Sequence, residues 1–242
     1  MKRRNKIILA IIVILILAIG AYAGFKITQI SSEPDLLEGE QNVLILGIDE
    51  SEQRQGLGAV DMAFMVHLEN GTIKNYTPVF PHGMTHPTVQ EPAEYQSAGA
   101  GQMLLLHDCF YWDDPQKDLQ YAKEIVEHSN QSMKVDAVVG VTTAGIDAIL
   151  EAASPIEVKN QTVTVKAIDL IRENDQLHGG GMSRGEAVKL IIRGLVKASK
   201  DPNKKSKMIN AAMDQYSQGN IVVYPKGVFV KLIASKGVDA LL

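Results

Sequence analysis

Hydrophobic positions run unbroken through Asn42-Val43-Leu44-Ile45-Leu46-Gly47-Ile48 and stop at Asp49. A run that is apolar at odd and even positions alike predicts a strand covered on both faces. A polar, glycine-containing loop from Glu50 to Gly58 follows and carries Arg54. Asp61 begins a second apolar run, Met62 to Leu68, and Asn70-Gly71 separates it from a third, Thr72 to Val79. Asn-Gly accepts positive φ at both central positions of a tight turn, so the two runs are predicted to form a hairpin. The stretch closes on Pro81-His82-Gly83. Two acids and an arginine therefore stand at predicted strand ends.

Beyond Phe80 the pattern breaks. Prolines and glycines punctuate 80–101, which predicts a long irregular loop, and Gln102 to His107 predicts a short helix. Asp113-Asp114-Pro115 supplies a cap and a first-turn proline for a helix with Leu119, Ala122, Ile125 and Val126 on one face. Val135 to Val141 predicts a second buried strand. Thr142 and Thr143 can cap the next helix, with Ile146, Ile149 and Leu150 inward. Short strands are predicted at Ile156–Val158 and Thr162–Val165. Ala167 to Asn174 predicts a brief helix carrying Arg172, and a glycine run ends at Gly181. Ser183-Arg184-Gly185-Glu186 matches a capping box that opens a further helix. Asp201-Pro202 starts another, with Met208, Ile209, Ala212, Met213 and Tyr216 as its stripe and Gly219 as its stop. Ile221–Tyr224 predicts a strand, and Val228 to Leu242 is mostly helical in pattern. Strands alternating with helices predict an α/β fold, a three-layer α/β/α sandwich about a central mixed sheet.

The N-terminus changes the setting. Ile7 to Phe25 holds 19 residues without a charge, and Lys2, Arg3, Arg4 and Lys6 precede it. A helix of that length spans the hydrocarbon core of a bilayer, about 30 Å. The positive-inside rule keeps 1–6 in the cytoplasm and places the rest of the chain outside the cell membrane. Ala21-Tyr22-Ala23 also fits a signal-peptide cleavage site, but the apolar run is long for a signal peptide. The expected organisation is a tail over 1–6, a transmembrane anchor over 7–25, an acidic linker over 26–41 and one extracytoplasmic domain over 42–242. Net charge is −4, without the basic balance that nucleic acid calls for. Cys109 is the only cysteine, so the exported domain is expected to rely on packing rather than a disulfide.

Three groups of residues can carry chemistry. If the first two strands pair antiparallel, Asp49 and Asp61 lie at one sheet edge, where two carboxylates can hold Mg²⁺. The alternative is that they cap loop amides and pair with Arg54. Arg184 stands at a helix N-terminus and Arg172 lies across a glycine run from it, an arrangement that suits phosphate; the alternative is two solvated arginines. His82 and His86 are spaced as a helical zinc pair, but Pro81, Gly83 and Pro87 oppose a helix. No P-loop or G-x-G-x-x-G pattern occurs.

The anchor, the acidic linker, N-V-L-I-L-G-I-D at 42–49, the aspartate at 61 that opens a hairpin strand, and Pro81-His82-Gly83 together resemble the LytR-CpsA-Psr family, and more narrowly a sister group found in archaea. The family pattern is N-I-L-L-L-G-x-D, then R-S-D-T, then S-I-P-R-D. The likeness is sharp over Asn42–Asp61 and one of order and character to about Tyr224. It implies an extracytoplasmic phosphotransferase. Such a protein binds a polyprenyl pyrophosphate-linked glycopolymer, its tail in an apolar slot beside the sheet, and moves the glycan phosphate to a cell-wall acceptor. It implies that Asp49 and Asp61 hold Mg²⁺ and that Arg172 and Arg184 grip phosphate. Three departures stand out. Ala59-Val60 replace R-S, His82 and Gly83 replace the arginine and aspartate of S-I-P-R-D, and Ala187-Val188 offer no second arginine in the later helix. Arg54 and His82 would compensate in part, which makes Asp61, Arg54 and His82 the implied catalytic set. The implied function is a membrane-anchored domain that binds a polyprenyl (pyro)phosphate-linked envelope glycan and transfers it. The alternative is a non-catalytic lipid- or partner-binding protein of the same fold.

Overall fold

The structure, a computed structural model, describes residues 34–228 apart from 53, 82, 159–160, 164–193, 196 and 199. These residues fall into two compact units, one made of 34–142 with 222–228 and the other of 143–221. The first unit runs β1 (Glu40–Asp49), β2 (Ala59–Glu69), β3 (Thr72–Val79), β4 (Thr85–Gln90), α1 (Ala93–Ser97), β5 (Met103–Leu105), α2 (Pro115–Ser129) and β6 (Ala137–Thr142). The second holds α3 (Thr143–Ala153), β7 (Ile156–Val158), β8 (Gln161–Val163) and α4 (Pro202–Ser217). The chain then adds β9 (Ile221–Tyr224) to the first unit's sheet, whose strand order is β3-β2-β1-β6-β9.

β1 is antiparallel to β2 and parallel to β6, so the sheet is mixed, as the sequence predicts for this α/β chain. Leu44, Leu46 and Ile48 of β1, Val60, Ala63 and Met65 of β2, and Val138 of β6 share one face. The α2 stripe, Leu119, Ala122, Ile125 and Val126, packs there with Leu104, Leu106 and Phe110. Each such side chain contributes about 1.5–3 kcal/mol when fully buried. The alternate residues Val43 and Val66 are buried as well, which is why β1 reads as continuously apolar. The helix α2 begins where the sequence places it, because the Asp114 carboxylate accepts from the Lys117 N–H and Pro115 needs no partner for its nitrogen. The hairpin turn has φ of 50° at Asn70 and 68° at Gly71, the two positive values that a primed turn requires.

The segment predicted as a loop over 80–101 instead contains β4 and α1. β4 pairs with β5 at Thr85↔Leu105 and Gln90↔Met103, and Pro87 sits in the irregular stretch between these two positions, where no ladder hydrogen bond is lost. The helix predicted over Gln102–His107 is β5 followed by a 3₁₀ turn, Leu106–Asp108. Leu104 and Leu106 both point into the core, a period of two that a six-residue run cannot separate from a helical one.

In the second unit α3 and α4 pack together. Asp201 caps α4 through the N–H groups of Asn203 and Lys204, at 2.9 and 3.4 Å. Ile149 and Leu150 are buried with Met208, Ile209 and Ala212, whereas Ile146, Met213 and Tyr216 are half-buried. The predicted anchor, His82, Arg172, the capping box with Arg184 and the C-terminal helical pattern beyond Val228 lie outside the described residues. Among the described residues no helix is long and apolar enough to cross a membrane.

Gly140 marks the tightest packing beneath β6. A Cβ there would meet Ile48 Cδ1 and Val222 Cγ2 at 3.0 Å and Phe110 Cζ at 3.1 Å. Gly140→Val is therefore expected to cost about 1–3 kcal/mol through overpacking. Urea denaturation should show a lower midpoint with an unchanged slope.

Candidate functional site

The β1–β2 pairing decides where the two strand-end acids go. Asp49 faces Ala59 and Ile48 faces Val60, but Gly47 faces Met62. Asp61 is thus the extra residue of a bulge, and it lies at the same sheet edge as Asp49. Bulges re-aim a side chain and raise local twist. Asp49 is buried, and its Oδ1 accepts from the Ser51 N–H at 2.8 Å, which turns the chain out of β1. Asp49 therefore caps the loop it opens, one of the two roles its position allows; Asp61 is half-buried.

The loop is pressed onto the segment Phe110–Trp112. The Gly56 N–H donates to the Tyr111 carbonyl at 2.9 Å, and a Cβ at Gly56 would collide with the Phe110 and Trp112 carbonyl oxygens. Gly58 has φ of +131°, and a Cβ there would collide with the Asp49 carbonyl. Only glycine fits at either position, and together they fix the loop that carries Arg54.

Arg54 is drawn into the protein, with its side chain 6% exposed. Its Nη2 lies 2.7 Å from Asp108 Oδ1, 3.1 Å from Glu52 Oε2 and 3.2 Å from His107 Nε2. The guanidinium also lies over the Tyr95 ring, 4.9 Å from its centroid. His107 Nδ1 is 3.1 Å from the Val60 carbonyl. A carbonyl only accepts, so Nδ1 carries the proton and Nε2 accepts from Arg54. The Arg54 Nε has no hydrogen-bond partner among the described residues.

Glu91 backs this network. Its Oε2 accepts from the Leu105 N–H at 2.8 Å, while Oε1 has no partner among the described residues. Burial pushes its carboxyl up to about 7; the Leu105 N–H opposes that rise, and the neighbouring Asp108 carboxylate adds to it. A protonated Glu91 can donate to Asp108, which gives Oε1 a partner and leaves Asp108 its charge for Arg54. Asp118, in the first turn of α2, is fully buried, with both carboxyl oxygens lacking hydrogen-bond partners among the described residues. Burial pushes it up to about 8, so it sits in the core as a neutral acid.

Of the two histidines spaced as a zinc pair, His82 lies outside the described residues and His86 is engaged within the fold. His86 Nδ1 accepts from the N–H groups of Thr88 and Val89, at 3.1 and 2.9 Å. The proton is then on Nε2, which donates to Glu124 Oε2 at 2.7 Å. With both nitrogens engaged, His86 ties β4 to α2 and offers nothing to zinc. Among the described residues no three His, Cys, Asp or Glu side chains gather as a metal cage. Sequence reasoning placed Asp49, Asp61 and Arg54 in one neighbourhood. It missed Glu91 and Asp108 as acids near Arg54, since nothing in local spacing links a loop residue to acids 37 and 54 positions later, and it passed over Glu52 in the same loop.

Residues 38–175, more than half of the chain, match the family described as Protein of unknown function (DUF4012). No curated protein matches the chain in sequence. Among solved structures, the protein gbs0355 from Streptococcus agalactiae superposes with a TM-score of 0.54 at 14% identity, covering 84% of this chain and 74% of that one. The transcriptional regulator EF0465 from Enterococcus faecalis does so with a TM-score of 0.50 at 13% identity, covering 87% and 76%. TagT, solved bound to LI-WTA, overlaps more loosely, with a TM-score of 0.45 at 13% identity over 84% of this chain and 78% of that one. At these identities the first two establish a shared fold, and the third is too loose to add to it.

Two outcomes test the network. Glu91 has its folded value raised from the ordinary 4.5 to about 7, so its contribution to stability falls as pH rises through that interval and is flat above it. Glu91→Gln keeps an acceptor for Leu105 and a donor for Asp108 without the titration. Its stability relative to the parent should rise between pH 5 and 7.5 in parallel denaturation series; a constant difference would contradict the raised value. For the buried ion pair, Asp108→Ala is expected to cost about 3–5 kcal/mol, because it leaves a buried guanidinium without its nearest carboxylate. Combining Arg54→Met with Asp108→Leu should recover most of that loss. A double variant no more stable than Asp108→Ala would count against the pair.

Proposed function

The chain belongs to the DUF4012 family and has the LytR-CpsA-Psr fold, and on that footing we propose that it is a membrane-anchored envelope protein that binds a polyprenyl (pyro)phosphate-linked glycan outside the cell. In this reading 7–25 cross the membrane, 1–6 remain in the cytoplasm, and a three-layer α/β/α domain works at the outer surface. The observation that supports it most is the β1–β2 register, which brings Asp49 and the bulged Asp61 to one sheet edge. These are the acids that the family likeness assigns to the phosphate site.

Asp49 and Asp61 would hold Mg²⁺ there. Two carboxylates fit that ion, which keeps several waters and takes further oxygens from a substrate's phosphates. Bound Mg²⁺ supplies positive charge between the acids and the pyrophosphate. Arg172 and Arg184 would grip the phosphates, and His82 would stand where the family pattern has an arginine. Moving the glycan phosphate to an acceptor hydroxyl would further demand charge aimed at the transferring phosphoryl group.

One observation favours a second reading, binding without transfer. The Arg54 guanidinium is already engaged by Asp108, Glu52 and His107. Ala59-Val60 bring no replacement charge to the loop end. The binding proposal does not depend on Arg54, whereas transfer would lack one of its three proposed catalytic groups unless the ion pair opens.

The test is a binding assay on the full chain in detergent, with polyprenyl pyrophosphate and Mg²⁺. Asp61→Ala should weaken binding at least about tenfold, the factor that 1.4 kcal/mol represents. Equal binding by parent and variant would remove Asp61 from the site. With the glycan-bearing lipid in place of the bare one, transfer of labelled glycan phosphate to an added acceptor hydroxyl, with polyprenyl phosphate released, would decide for transfer, and binding without transfer would decide for the second reading.

A further inference from the structure

We propose that a ribbon of four aromatic rings beside the β1–β2 loop is a sugar-binding surface that takes the glycan part of the ligand; this rests on the proposed function and adds the group it recognises. The chain has one tryptophan and seven tyrosines, and the tryptophan gathers here with three of the tyrosines. Tyr95 meets Tyr111 at 5.4 Å and 82°, Tyr111 meets Trp112 at 5.4 Å and 85°, and Trp112 meets Tyr121 at 5.5 Å and 67°. Phe110, the residue before them, is fully buried in the core, but all four rings of the ribbon are only half-buried. Core packing accounts for Phe110 and part of Trp112 and Tyr121. It does not account for Tyr111, which lies outside the buried cluster and the layer packed on it, nor for Tyr95, which also lies outside them and whose ring carries the Arg54 guanidinium on one face.

The chemistry of the ribbon fits a saccharide. A sugar ring has apolar C–H faces and a rim of hydroxyls, and tyrosine and tryptophan pair an apolar body with a polar tip. Perpendicular neighbours present ring faces and ring edges in turn. The exposed Lys117 ammonium lies 5.6 Å from the Trp112 centroid and 5.4 Å from that of Tyr121. At the other end Gln55 Nε2 donates to the Tyr111 hydroxyl at 3.2 Å. The Glu94 carboxylate, second to burial, holds the proton on that hydroxyl more firmly. A rim with both charges and an amide suits hydroxyl groups. It does not suit a polyprenyl tail, which needs a slot without hydroxyls or cations. The ribbon also joins the loop that leaves Asp49, through Gln55 and through the Gly56 N–H on the Tyr111 carbonyl. Phosphate edge and ribbon are therefore connected by a single short loop.

Because Trp112 is the sole tryptophan, its emission reports on this surface alone. The full chain in detergent would be titrated with polyprenyl pyrophosphate, with the same lipid carrying a hexosamine disaccharide, and with a polyproline peptide, since aromatic surfaces also take extended proline-rich chains. The glycan-bearing lipid should bind at least about tenfold more tightly than the bare lipid and shift the emission, again about 1.4 kcal/mol. Tyr95→Ala with Tyr111→Ala should erase that advantage and leave bare-lipid binding unchanged. Lys117→Ala, at an exposed position, should reduce it severalfold, and thermal unfolding would confirm that each variant is folded. Equal binding of the two lipids, an advantage that survives the tyrosine changes, or an emission shift with the peptide alone would each overturn the ribbon. Failure of the bare lipid to bind would count instead against the proposed function, and a free hexosamine tetramer that still shifts Trp112 emission would then support the ribbon on its own, while no shift would overturn it.

Discussion

β1 is hydrogen-bonded along both edges, antiparallel to β2 and parallel to β6. Its side chains are enclosed on the core face and largely so on the other. A strand held in this way has no freedom to slip, because a one-residue shift would send Leu44, Leu46 and Ile48 to the opposite face. Everything at the acidic edge inherits that fixity. Asp49 is placed by the end of β1, Asp61 by the bulge that relieves its pairing with β2, and Arg54 by the loop between them. The loop's own position depends on two close backbone contacts that glycine alone permits. The site is thus a consequence of register first and of side-chain chemistry second.

Local signals in the sequence were read well where the structure is local. The primed turn at Asn70-Gly71, the Asp-Pro starts of α2 and α4, and the continuous apolar strands β1 and β6 each depend on a few adjacent residues. The placing of Asp49 and Asp61 at one edge followed from a single assumption, antiparallel pairing, and the register supplies it. The bulge itself was not legible, because no residue type marks it. β4 and β5 were not legible either. Their pairing is irregular, and Pro87 looks like a breaker unless its unpaired position is known. The surroundings of Arg54 escaped for a third reason. Glu91 arrives from just after β4 and Asp108 from the turn after β5, both distant from Arg54 in sequence, and charge pairs carry no periodicity.

The electrostatics of the edge differ from those the family pattern implies. An arginine in the loop suggests a cation facing a ligand, yet Arg54 faces inward, between two carboxylates and an imidazole, with a tyrosine ring beneath it. In a low-dielectric setting such a cation organises protein structure, since separating it from its partners exposes every one of them to an uncompensated charge. Arg54 thereby couples the β1–β2 loop to the turn that follows β5. The loop, the turn and α1, which carries Tyr95, form one assembly around a single guanidinium.

The two neutral acids have a consequence for the folding reaction itself. Near pH 6 an unfolded chain carries Glu91 and Asp118 as carboxylates, whereas burial keeps both protonated in the native state, with values of about 7 and about 8. Folding therefore takes up about two protons from the buffer through these groups. The measured heat of unfolding must then include the ionisation heat of whatever buffer accepts them on melting. Calorimetry in phosphate and in an amine buffer would give different enthalpies for the same structural transition, and their difference counts the protons that the core keeps.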